Sequence, residues 1–139
     1  MPHIFTYGSL MFAPVWSRVV AGSYDSCEAV LPGYDRKGIR GEVYPAVVPS
    51  AGQSQVKGLV YLDVSIDDLA RLDRFEGEYY FRKTEQVVML DESLQSAEVY
   101  ILKEEYYPVL SPGYWDPVHF STTGIQIFIR NYLGRYLKH

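Results

Sequence analysis

The sequence predicts an α+β fold: a compact, partly closed mixed sheet with short helices on its flanks. Three observations carry this. Extended runs of β-branched and aromatic residues outnumber helical ones across the 139 residues. The helices are few and short. The order strand–helix–strands–helix–strands–helix does not repeat as the regular βαβ units of a parallel sheet. The length predicts one domain, residues 1–139, large enough for a real core and too small for two.

Taken in order, His3 to Tyr7 is a short apolar run that reads as a central strand, stopped by a tight turn at Gly8-Ser9. Pro14 is placed to open a helix, whose buried face is Val15, Trp16, Val19 and Val20 and whose end is Gly22. Glu28 to Gly33 is a strand running into a Pro-Gly turn, and the polar, basic stretch Tyr34 to Gly41 is a loop or a hairpin. Two prolines confine the extended segment Tyr44 to Pro49 to an edge or a crossing position. Val56 to Val64 is a strand, and Gly58 inside it marks a bulge or a close backbone approach.

The next stretch organises the rest. Ser65 is an N-cap, with Asp68 three residues on in the weaker Asp form of the capping box. Ile66, Leu69, Leu72 and Phe75 recur at helical spacing as a buried stripe. Arg71 and Arg74 suit the negative end of the helix dipole, and Gly77 suits a left-handed stop. Glu76 follows Leu72 by four residues, which aims its carboxylate toward the apolar stripe. A Glu in the last turn of a helix is ordinarily solvated. One facing inward has its pKa raised toward neutrality, which a general acid/base requires. Two further strands follow, Phe81 to Leu90 and Ala97 to Lys103, then a loop from Glu104 through Pro117. Ser121 to Thr123 cap a last helix with Ile125, Phe128, Ile129, Tyr132, Leu133 and Tyr136 on one side; its Ile content makes a strand the competing reading.

Composition narrows the chemistry. The chain is 47% hydrophobic and 15% aromatic with 13 tyrosines, so it is globular. A net charge of -4 and a pI near 5.3 argue against nucleic acid or an anionic membrane as partner. One cysteine, Cys27, excludes an internal disulfide and a multi-cysteine zinc site, and the three histidines lack ligand spacing, so no metal is expected. No basic leader or 20-residue apolar run is present, so a cytoplasmic protein is expected. Ser9 lacks the Gly-x-Ser-x-Gly elbow of a triad nucleophile, and Cys27 has no basic neighbour. The Tyr7-Gly8-Ser9-Leu10 turn instead offers backbone N–H groups, with a glycine that lets a ligand approach closely. A strand end that simply turns is the plainer alternative.

Four strings in this order carry a resemblance: Tyr7-Gly8-Ser9-Leu10; Tyr44-Pro45-Ala46; Val56-x-Gly58-x-Val60-Tyr61; and Leu72-Asp73-x-Phe75-Glu76-Gly77-x-x-Tyr80-x-Arg82. From Phe5 to about Trp115 the chain resembles the γ-glutamylcyclotransferase-like (AIG2-like) superfamily. The resemblance implies a small mixed β-barrel with flanking short helices. It assigns Tyr7, Gly8, Ser9 and Leu10 to the substrate-binding loop, Glu76 to the catalytic acid/base, and Tyr80 with Arg82 to the following Tyr-x-Arg. The implied reaction is attack of the α-amine of a γ-glutamyl group on its own γ-carbonyl, an acyl transfer (formally also a lyase reaction) that gives 5-oxoproline and a free amine or amino acid. It needs no cofactor, and its partner is a small γ-glutamyl amine or peptide. A non-catalytic small-molecule or partner-binding barrel of the same fold is the second reading.

Overall fold

The computed structural model describes residues 1–133. Among these, the strands in chain order are β1 (Ile4–Thr6), β2 (Ser26–Pro32), β3 (Tyr34–Ile39), β4 (Pro45–Pro49), β5 (Gln55–Tyr61), β6 (Tyr80–Met89), β7 (Leu94–Leu102) and β8 (Leu110–Tyr114). Five close into a barrel in the order β1-β5-β2-β6-β7, and β4-β3-β8 form a separate three-stranded sheet. Two α-helices, α1 (Ala13–Val19) and α2 (Ile66–Glu76), flank the barrel. No helix among the described residues is long and apolar enough to cross a membrane.

The barrel is lined by alternate residues of its strands. Phe5, Ala29, Leu31, Val56, Val60, Val87, Val99 and Ile101 pack inside it. Their neighbours Ile4, Tyr61, Tyr100 and Leu102 point outward and are covered by Val15 and Trp16 of α1 and Leu69, Leu72 and Phe75 of α2. Both faces of β1 are therefore buried, which is why it reads as an unbroken apolar run. Trp16 lies flat on Tyr61, with ring centroids 3.6 Å apart.

Gly58 marks a close approach and no bulge: β2 and β5 stay in register from Ser26↔Tyr61 to Pro32↔Gln55. A Cβ at Gly58 would lie 2.1 Å from the Thr6 carbonyl oxygen and 2.8 Å from the Phe5 ring. The barrel closes through a single parallel pair, Ile4↔Glu98. Beyond it β1 and β7 part, and the Tyr7–Leu10 turn stands where they separate.

Several expectations are corrected. Residues 34–39 are strand β3, one arm of a hairpin with β4; Asp35 and Lys37 stand on one face and Arg36 on the other, so the loop reading of this stretch is replaced and the hairpin reading extends to β4. Part of the loop expected after Glu104 is a 3-10 turn (Glu104–Val109) followed by β8, which pairs with β3 across an irregular register. The last helix starts earlier than Ser121. The Asp116 side chain accepts from the Val118 N–H at 2.9 Å, Pro117 opens the helix, and helical turns of α and π geometry follow through Leu133. Ser121 and Thr122 donate back to the Val118 carbonyl and cap nothing. Ile125 and Phe128 are buried as expected; Tyr136 lies outside the described residues. On α2, Leu69, Leu72 and Phe75 are buried, but Ile66 in the first turn is 66% exposed.

The start of α2 differs in a second way. The Ser65 side chain accepts from the Asp68 N–H at 3.1 Å, as an N-cap should. Asp68 does not return the bond as a capping box would. Its carboxylate, 1% exposed, accepts from the N–H groups of Ala21 (2.8 Å) and Gly22 (2.9 Å), the Tyr24 hydroxyl (2.6 Å) and the Arg71 guanidinium (2.7 Å). Burial pushes its pKa up, but these four donors outweigh burial and hold it at about 2. Asp68 thus ties the exit of α1 to the entry of α2.

The pKa of Asp68 is lowered by folding, so its stabilisation is present above the unfolded value near 4 and is lost as pH falls toward 2. Asp68→Asn should cost about 2–4 kcal/mol at pH 7 in urea unfolding. The gap between variant and wild type should narrow between about pH 4 and pH 2; a gap of constant size would show that charge on Asp68 is not what holds α1 to α2.

Candidate active site

One pocket takes residues from the parted strands, the turn between them and the end of α2. Phe5, Thr6, Tyr7, Gly8, Ser9 and Leu10 line one side; Glu76, Tyr80 and Tyr100 line another; Tyr44, Pro45 and Phe128 complete it. The structure thus brings together all six residues singled out from sequence: Tyr7, Gly8, Ser9, Leu10, Glu76 and Tyr80. Its cavity volume is about 40 Å³.

The Tyr7–Leu10 turn is tightly held through its carbonyls. The Tyr7 carbonyl accepts from the Arg36 guanidinium (2.9 Å), Gly8 from the Met11 N–H (3.0 Å), Ser9 from the Phe12 N–H (3.2 Å) and Leu10 from the Tyr61 hydroxyl (3.2 Å). None of the hydrogen bonds among the described residues uses the N–H of Gly8, Ser9 or Leu10. All acceptors are engaged while three buried donors are left over, so the turn is electropositive on its free side. Gly8 is required here for a reason the sequence did not show: a Cβ would sit 2.8 Å from the Pro45 ring. Substituting it disturbs the fold as well as any ligand.

Glu76 is the last residue of α2, and Gly77 ends the helix with φ 77°. Among the described residues no hydrogen bond reaches the Glu76 carboxylate. Burial, and secondly the Asp73 carboxylate one turn earlier, raise its pKa to about 8. Asp73 is itself held away from the pocket. It accepts from the Tyr100 hydroxyl (2.7 Å) and from Arg82 Nε (2.9 Å), and Arg82 also pairs with Glu98. Arg82 therefore braces α2 against β7 and does not line the pocket. Tyr80 does, and its hydroxyl donates to the Pro45 carbonyl at 3.0 Å. Its neighbour Tyr79 is 41% exposed and packs on Tyr106.

The Tyr7 hydroxyl donates to the Tyr100 carbonyl at 2.6 Å, across the gap between β1 and β7. Burial, then the nearby Glu76 carboxylate, push its pKa well up, so Tyr7 stays a neutral donor. Tyr100 is raised as well, by burial and then by Asp73. Sequence reasoning missed Tyr100 and Phe128 at this site, and it gave Tyr44 only as part of the Tyr44-Pro45-Ala46 string, without a place in the pocket. Pro45 was legible within Tyr-Pro-Ala, but only as part of an extended segment. Phe128 was legible only as core, and nothing in its spacing distinguishes a pocket wall from packing.

Folding raises the pKa of Glu76, so its ionisation opposes the fold. The cost is absent below the unfolded value near 4.5, grows as pH rises, and is complete above about 8. Glu76→Gln removes that cost. The variant should match wild type in thermal unfolding below about pH 4.5 and exceed it above pH 8, by up to about 5 kcal/mol as an upper bound. A variant less stable than wild type at pH 9 would show that the carboxylate is not desolvated.

Comparison with known proteins agrees with this architecture. Residues 4–117 match the family described as gamma-glutamyl cyclotransferase, AIG2-like. AIG2-like protein D of Arabidopsis thaliana is 35% identical over 132 residues, covering 94% of this chain and 86% of that protein. AIG2-like protein C of the same plant is 38% identical over 115 residues; the match covers 81% of this chain and 65% of the relative. The solution structure of another Arabidopsis thaliana protein superposes with a TM-score of 0.72 at 29% identity, covering 94% of this chain and 87% of that one. A gamma-glutamyl cyclotransferase structure superposes with a TM-score of 0.60 at 19% identity over 73% of this chain and 66% of its own, a likeness of fold.

Proposed function

This chain belongs to the gamma-glutamyl cyclotransferase, AIG2-like family, and from that premise we propose that it cyclises the γ-glutamyl group of a γ-glutamyl amine or peptide to 5-oxoproline. The observation that supports this most is the placing of one half-buried carboxyl with a raised pKa, Glu76, in the same small pocket as a turn with unused N–H groups. An acid/base and an anion-binding cradle are what the reaction needs from the protein. The nucleophile comes with the substrate, so proximity is already supplied by the γ-glutamyl chain.

In this reading the substrate's α-ammonium enters beside Glu76. With a pKa of about 8, roughly one Glu76 in ten is ionised at pH 7 before substrate arrives; the incoming cation favours the ionised form. Glu76 takes a proton from the α-nitrogen, which then attacks the γ-carbon and closes a five-membered ring. The carbonyl oxygen becomes an oxyanion, for which the N–H groups of the Tyr7–Leu10 turn are the available donors. Glu76 returns that proton to the leaving nitrogen, the original C–N bond breaks as the oxyanion collapses to the lactam carbonyl, and the surplus proton of the ring nitrogen passes by way of Glu76 to the released amine. Two protons leave the α-nitrogen and two reach the released amine, so no water is consumed and nothing is oxidised. The γ-glutamyl group would occupy this narrow pocket, with Phe128 and Tyr44 among its walls.

A panel of γ-glutamyl amines and γ-glutamyl peptides, assayed for released 5-oxoproline, tests the reading. On the best substrate Glu76→Gln should lower kcat on the order of 10²–10⁴-fold, while Glu78→Gln, in the exposed turn after Gly77, should stay close to wild type. Wild-type kcat/KM should rise with pH through about 8. Full activity in Glu76→Gln would remove this residue from the mechanism. Binding of 5-oxoproline without turnover of any member of the panel would instead favour the non-catalytic barrel.

A further inference from the structure

The Tyr7–Leu10 turn is gripped from the three-stranded sheet by one side chain. Arg36, on β3, sends one guanidinium nitrogen to the Tyr7 carbonyl at 2.9 Å and to the Lys57 carbonyl at 3.1 Å. Its guanidinium carbon also lies 5.3 Å from the centre of the Trp115 ring. No ion pair among the described residues involves Arg36. A half-buried guanidinium has thus given its charge to two backbone carbonyls and an indole face, with no carboxylate to neutralise it.

The consequence follows from peptide geometry. No peptide bond among the described residues is cis, so the Tyr7 carbonyl and the Gly8 N–H point in opposite directions across one rigid plane. Arg36 lines a separate groove of about 690 Å³, with Met11, Phe12, Lys57 and Leu59, and is absent from the pocket that holds Glu76. Tyr7 and Gly8 line that second pocket. A carbonyl fixed toward the groove turns the Gly8 N–H the other way, and Gly8 lines the pocket that holds Glu76. A cation on the carbonyl oxygen also draws electron density through the amide, which makes the N–H a stronger donor.

We infer that Arg36 is a positioning residue: from outside the pocket it orients and polarises the Tyr7–Gly8 peptide so that the Gly8 N–H serves as the principal donor to the substrate's developing oxyanion. This rests on the reading of the Tyr7–Leu10 turn as the anion-binding element. A cation that acts through a peptide plane keeps its own charge out of the pocket, where it would lower the pKa of Glu76 and repel the α-ammonium. Arginine suits the task better than lysine, because its delocalised, weakly hydrated guanidinium can rest beside an indole while one of its nitrogens donates to both carbonyls.

The test uses the intact protein with Arg36→Met, Arg36→Lys and, as a control in the same groove, Lys57→Met. Two quantities are read. The first is the Gly8 amide ¹⁵N resonance, which hydrogen bonding to the preceding carbonyl moves downfield. The second is 5-oxoproline release from the best γ-glutamyl substrate. In Arg36→Met the Gly8 resonance should move upfield, and kcat should fall on the order of 10–100-fold with little change in KM. That loss is smaller than deletion of an oxyanion donor, because the donor is misaligned and not removed. Arg36→Lys should recover part of both changes, and Lys57→Met should show neither. If Arg36→Met fails to fold, Arg36→Lys carries the test alone, with the same directions. An unmoved Gly8 resonance, or a moved one with unchanged kcat, overturns the inference. If wild type itself releases no 5-oxoproline, the proposed reaction fails, and the Gly8 resonance still decides whether Arg36 polarises the peptide.

Discussion

Closure of the barrel rests on very little backbone. β1 meets β7 at Ile4↔Glu98 and then leaves it, so the seam is completed by side chains. The Tyr7 hydroxyl crosses it to the Tyr100 carbonyl, while the Tyr80 hydroxyl of β6 ties the barrel to β4 through the Pro45 carbonyl. A fully zipped seam would have spent the β1 and β7 edges on each other and left no opening. The parting of two strands is therefore what creates the pocket, and the buried tyrosine hydroxyls keep the gap from collapsing or fraying. Each satisfies an edge carbonyl that would otherwise be orphaned in a nonpolar interior.

The same economy governs charge. Glu76 is left unbonded while the carboxylates around it are saturated: Asp68 with four donors, Asp73 with a tyrosine and an arginine, Glu98 with Arg82 and Thr84. Asp68, surrounded by donors, is fixed in its ionised form. A carboxylate without donors, desolvated and next to another anion, is poised to change its protonation state near neutral pH. α2 carries both kinds, Asp68 near its start and Glu76 at its end, with pKa values about six apart on one helix.

Much of this was legible in the residues. The stripe Leu69, Leu72 and Phe75 gave α2 its face, Ser65 its start and Gly77 its end, and with those set the carboxylate of Glu76 could be aimed. β1 and the Gly8-Ser9 turn were equally plain, because apolar runs and glycines act locally. What stayed hidden depended on contacts distant in the chain. β3 left a loop and a hairpin both open because Asp35, Arg36 and Lys37 obscure its alternation, and only its pairing with β4 decides for the strand. Asp68 looked like half of a capping box, since its real partners Ala21 and Gly22 lie 47 and 46 residues away. Tyr100 was one aromatic among 13 tyrosines in a strand, and its place opposite Tyr7 is a matter of barrel register.

The wall formed by Phe128 has a consequence of a different kind. The family match ends at residue 117, yet Phe128 is 2% exposed, packs against Phe75 and Tyr44, and lines the same pocket as Glu76. The carboxyl and the turn therefore lie inside the family match, and one wall of their pocket lies beyond it. The shape of the pocket and its titrating group are set by separate stretches of the chain, so a change at Phe128 alters the one and leaves the residues of the other in place.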